Sequence, residues 1–137
     1  MNGRQEREAG SLALEFTLVA PAVLLLVALL LAYGRAGLVS ATLDSGVRDA
    51  ARSATQARSA DDARSRAEEV VRAAVGEGEC AETLAVEPLA RFEPGTPVTV
   101  TARCRYALAD LGLPGAPGHV TVSSSFSSPL DPNRGVR

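Results

Sequence analysis

One carboxylate in this sequence stands where carboxylates are costly. Glu15 is the single charge between Leu12 and Leu31, a run of 20 residues that is otherwise almost wholly apolar. An acid inside a membrane span costs about 2.5–3.5 kcal/mol at the bilayer centre, so such a residue usually has a job. The bland reading is an acid in the first turn of a helix, near the interface, favoured by the macrodipole. The neighbourhood points further. Gly10 stands five residues earlier, and a cut after it makes Ser11 the new N-terminus with Glu15 as fifth residue. The carboxylate can then pair with the freed ammonium of a neighbouring subunit as two spans pack side by side. Low dielectric strengthens that pair, although desolvation takes back much of the gain.

The remaining reactive side chains are sparse. Cys80 and Cys104 are the two cysteines, too far apart in sequence for a CxxC pair and without histidines beside them for zinc. In an exported domain they read as a disulfide, which closes a loop worth roughly 3 kcal/mol in the chain-entropy model. The competing reading is two buried free thiols. His119 is the one histidine; it follows a glycine at a strand start and reads as a surface residue. No GxSxG, HExxH, Walker or EF-hand pattern occurs, so no enzyme, cofactor or metal site is expected. The net charge of −2 gives no basic footprint for nucleic acid. All 14 basic residues are arginine.

These residues are positioned by a simple order of elements. The run Leu12–Leu31 is about 30 Å long as a helix, enough to cross the hydrocarbon core of a bilayer. Pro21 inside it removes one backbone hydrogen bond, which neighbours in a membrane can compensate. Beyond Ala32 the helix continues as an amphipathic stem, with Val39, Leu43, Val47, Ala50, Ala54 and Ala57 on one face. Asp44, Arg48, Asp49, Arg52 and Arg58 read as its solvent side, and Gly34, Gly37 and Gly46 as a flexible exit. Ser59 with Asp62 resembles a capping box, opening a second helix from about Ala60 to Val75, with Gly76 and Gly78 as stops. Strict alternation from Pro97 to Leu108 marks a half-buried strand. Thr83–Glu87 and Val120–Phe126 give two more, the latter reached through the proline- and glycine-rich loop Asp110–Gly118. The expected fold is α+β: a long N-terminal helix, a second helix and a small three-stranded antiparallel sheet. The divisions are 1–10, an unstructured leader; 11–58, span and stem; 59–128, the α+β domain; and 129–137, a frayed tail.

Gly10, Glu15 and Phe16, followed by the apolar run with Pro21, resemble a class III (type IV prepilin) signal. The string Gly10-Ser-Leu-Ala-Leu-Glu15-Phe16-Thr-Leu-Val-Ala-Pro21 is similar to the opening of TadE-like proteins, the minor pilins or pseudopilins of tight-adherence (Tad) pilus systems. The Leu-Gly-Leu-Pro-Gly connection between strands is similar to that of actinobacterial-type members. The resemblance implies cleavage between Gly10 and Ser11 by a prepilin peptidase, and a role for Glu15 in processing and assembly, with Phe16 beside it. It implies as partners that peptidase, a Flp-type major pilin, other TadE-like pilins, and the assembly platform with its cytoplasmic ATPase. No nucleic acid and no small-molecule substrate is implied. It places the chain in the cytoplasmic (inner) membrane as a single-pass protein, N-terminus inside and C-terminal domain outside, or in an extracellular pilus. Arg4, Arg7 and Arg35 nearly balance across the span, so the positive-inside rule orients it only weakly. The alternative is a membrane-anchored or secreted binding or adhesion module, whose apolar run is a plain anchor or a removed signal peptide.

Overall fold

The computed structural model describes residues 3–111 and 115–133, with the backbone alone for residues 3–12 and 111. Its first element is α1, Gly3–Ala54, a single helix of 52 residues. The segment read as an unstructured leader is therefore helical from Gly3. Gln5, Glu6, Arg7, Glu8 and Ala9 are good helix formers, and they abut an apolar helix already nucleated. From Ala13 to Leu31 α1 is almost entirely exposed, Phe16 at 75%. This is the one helix among the described residues long and apolar enough to cross a membrane.

The upper part of α1 is the spine of a small domain. α2, Ala60–Val75, opens where expected: Ser59 Oγ accepts from the Asp62 N–H at 3.2 Å. Asp62 does not close the box. Its carboxylate pairs with Arg66, and Arg64 pairs with Glu68, each at helical spacing on the exposed side. Gly76, at φ +71°, ends the helix and donates to the Arg72 carbonyl. A one-turn helix α3, Glu79–Glu82, follows.

The sheet has order β1-β2-β3, both pairs antiparallel: β1 Ala85–Val86, β2 Pro97–Ala107 and β3 His119–Pro129. β2 and β3 pair from Pro97↔Pro129 to Ala107↔His119. Val98, Val100, Ala102, Cys104 and Tyr106 point into the core, as the alternation requires. On the outer face Thr99 bonds Ser127 and Thr101 bonds Ser125. Leu108 leaves the strand for a 3-10 turn, Leu108–Leu111. The strand read over Thr83–Glu87 shrinks to β1 because α3 takes Thr83 as its C-cap, while Pro88 has no N–H to extend the ladder. Both flanks still bind β2. The Thr83 hydroxyl bridges the Arg105 N–H and carbonyl, and the Glu87 N–H donates to the Thr101 carbonyl.

One core joins these parts: Leu43, Val47, Ala50, Ala51 and Ala54 of α1, Ala63, Ala67 and Val71 of α2, and the inner residues of β2. Small side chains bury little area each but let backbones approach closely. Gly46 is the extreme case. A Cβ there would lie 2.8 Å from the Ala74 Cβ, so this glycine serves close packing rather than flexibility. Asp44 and Arg48 stand on the solvent side, as read, and there they also meet β3. Asp44 pairs with Arg48 at 2.8 Å and accepts from the Ser124 hydroxyl at 2.7 Å, and Arg48 lies over the Phe126 ring. The tail also begins later than expected. Leu130 is buried, and its N–H and carbonyl bond Thr96 and Gly95. Residues 134–137 of that tail, and 112–114 of the Asp110–Gly118 loop, lie outside the described residues.

Candidate functional site

The residues singled out by sequence fall into two places. Gly10 and Ser11 lie on α1 where the backbone alone is described. Glu15 and Phe16 follow on the same helix, both exposed. The domain packs on α1 only from Ala32 upward, so Glu15 is left open to whatever lies beside the helix. Thr17 folds back onto the Ala13 carbonyl at 2.7 Å, which satisfies its hydroxyl within the helix. Pro21 is accommodated without ending α1.

The second place is the join between helix and domain. Cys80 and Cys104 form a disulfide with Cα atoms 5.0 Å apart, tying α3 to the inner face of β2 across a separation of 24 residues. Closing such a loop stabilises the fold by roughly 3 kcal/mol in the chain-entropy model. Beside it lies a carboxyl pair that sequence reading missed. Glu79 accepts from the Ala107 N–H, which holds its carboxyl below the ordinary range, and its bond with Asp110 adds to this. Asp110 is pushed the other way, by that same hydrogen bond and by the Glu79 charge. Arg35, four residues beyond the apolar run, donates to the Asp110 carbonyl at 3.1 Å. α1, α3, β2 and the 3-10 turn are thus clasped together where the helix enters the domain. No sequence signal pairs Glu79 with Asp110, since they lie 31 residues apart and meet only through the sheet. His119 is exposed at the start of β3, opposite Ala107.

Two cavities flank Tyr106 at this level. One, of about 590 Å³, lies between α1 and α3, with Arg35, Glu79 and Asp110 on its wall. The other, of about 710 Å³, lies between α1 and β3 and carries no charged side chain. Tyr106 is 4% exposed, and burial pushes its phenol above the ordinary value. Its hydroxyl has no hydrogen-bond partner.

A helix long and apolar enough to span a bilayer, whose upper part is built into a small disulfide-tied α+β domain, is compatible with a single-pass membrane protein. The comparison with known families makes this specific. Residues 10–52 match the family model described as TadE-like protein. The matched segment holds Gly10, Ser11, Glu15 and Phe16 and ends within α1. The resemblance read from the Gly10–Pro21 string is borne out by this match, which covers that string. No curated protein matches the chain, and no solved structure does.

Proposed function

We propose that this chain is a minor pilin or pseudopilin of a Tad-type pilus. It is made with a leader of residues 1–10, inserted through Leu12–Leu31 with its N-terminus in the cytoplasm, and cut between Gly10 and Ser11 by a prepilin peptidase. The stem to residue 58 and the domain from Ser59 onward then stand outside the cytoplasmic membrane. The observation that carries the reading is the exposure of Glu15 on a bare apolar helix, inside the segment that matches the family. A carboxylate so placed finds no partner in its own domain, and the ammonium freed at Ser11 of a neighbouring subunit supplies one. Phe16 adds apolar contact beside it. The Cys80–Cys104 bridge supports export, since such bonds persist in oxidising compartments. The role is structural rather than catalytic, with the Flp-type major pilin, other TadE-like subunits and the assembly platform as partners.

Mass spectrometry of the mature protein tests the first step, with Ser11 expected as its N-terminal residue. An intact Met1, or a start near Ala36, points instead to a tethered or secreted binding module. In Glu15→Ala, cleavage should largely persist while incorporation into filaments falls. Normal piliation in that variant removes the role given to Glu15.

A further inference from the structure

The cavity between α1 and β3 is placed unusually for a surface groove. It starts at Leu29, inside the apolar run, and rises along Ala32, Ala36 and Gly37 to Ser40. Its other wall is the opening of β3, Val120 to Ser123. Ala32, one residue past the run, is 6% exposed and packs with Tyr106. If the run spans a bilayer, Tyr106 stands at the level where hydrocarbon gives way to the ester groups of lipids. That hydroxyl is buried and unpartnered, and an unmet buried donor costs about 1–3 kcal/mol. Val120 and Val122 face into the groove from β3, Thr121 and Ser123 lie at its rim on the outer face of the strand, and its lining carries no charge. A Cβ at Gly37 would meet nothing within 4 Å, so the space is open.

We propose that this groove seats one acyl chain of a bilayer phospholipid, with an ester oxygen of that lipid accepting from the Tyr106 hydroxyl. The lipid chain runs along Leu29, Ala32 and Ala36 on one side and Val120 and Val122 on the other. A cavity of about 710 Å³ suits a small amphiphile. The proposal rests on the membrane insertion proposed above and reaches beyond it to a bound lipid that becomes part of the domain's lower core.

The test uses the tyrosines, of which the chain has two and no tryptophan. Tyr33→Phe leaves Tyr106 as the sole tyrosine emitter. The full chain carrying it is reconstituted into vesicles of phosphatidylcholine with or without bromine on the acyl chains. Tyr106 fluorescence should fall severalfold in the brominated vesicles. Gly37→Leu fills the groove from the helix and should restore most of the emission. Val122→Phe, on the inward face of the facing strand, fills it from the other side and should act alike. Tyr106 that is unquenched, or quenched equally with the groove filled, overturns the proposal. So does unquenched Tyr106 together with Gly37→Cys crosslinks between copies, which would put a second chain in the groove. Flotation with the vesicles separates the two readings: a chain that does not float overturns membrane insertion as well.

Discussion

The two halves of α1 obey different rules within one helix. From Ala13 to Leu31 leucine, valine and phenylalanine face outward on every side. From Leu43 to Ala54 the apolar residues keep to the faces that meet α2 and the sheet, and charged residues occupy the rest. The lower half is matched to a surrounding apolar medium, the upper half to a protein core on one side and water on the other. Side-chain size follows the same division. The lower half is rich in leucine, whereas the upper half is rich in alanine and carries Gly46 where α2 comes closest. A helix that only anchored a domain would need no such second face. Here the anchor is also the central strut of the domain it holds.

Paired substitutions sharpen the contrast, and the largest effect is expected in the core. Leu43→Ala empties a fully buried site and should cost the domain about 2–5 kcal/mol. Leu25→Ala, in the exposed half, should leave domain unfolding unchanged. Denaturation of both variants in the same mild detergent measures this, and equal losses would erase the distinction. Glycines give the next test. Gly46→Ala forces a contact with the Ala74 Cβ and should destabilise by about 1–2 kcal/mol after its helix-propensity gain is subtracted. Gly34→Ala meets open space and should stabilise by roughly 0.5–1 kcal/mol. A gain in both variants would mean that α1 and α2 are not in close contact at Gly46.

The smallest effect lies at the clasp between the halves. Asp110 holds its proton more tightly folded than unfolded. Its contribution is complete below the unfolded value and is lost as pH rises through the folded value. Glu79 runs the other way: its contribution is present above the unfolded value and is lost as pH falls through its lowered folded value. The clasp is therefore strongest in the acidic window between the two. Asp110→Asn keeps a donor toward Glu79 and removes one titration, so its melting temperature should fall less from mildly acidic to neutral pH. Parallel pH profiles for parent and variant would remove Asp110 from the clasp.

Much of this was legible because local chemistry and global fold agree. The apolar run, the Ser59 cap with Gly76 beyond Val75, and the Val98-to-Tyr106 alternation each name their element. The spacing of Gly10 and Glu15 pointed to the segment that the family model matches. What escaped depends on residues distant in sequence. Gly46 looks like any helical glycine until Ala74 is set against it. The contacts that Asp44 and Arg48 make on the solvent side with Ser124 and Phe126 arise only once β3 folds back. Leu130 looked like tail because one apolar residue among polar neighbours carries no period. Tyr106 was read as one more inward residue, and nothing local told that its hydroxyl would lack a partner.

That α1 runs unbroken through 52 residues has a mechanical meaning. At 1.5 Å per residue the rod is about 78 Å long, and each residue turns it by about 100°. The direction in which Glu15 points and the direction in which the sheet looks are therefore locked at one fixed angle. Adding a single residue between Ala22 and Leu31 would swing the domain more than a quarter turn about the rod, with every side chain retained. Torque or tension applied at the sheet would reach the acid below along this one helix, past Pro21, where a single backbone bond is missing.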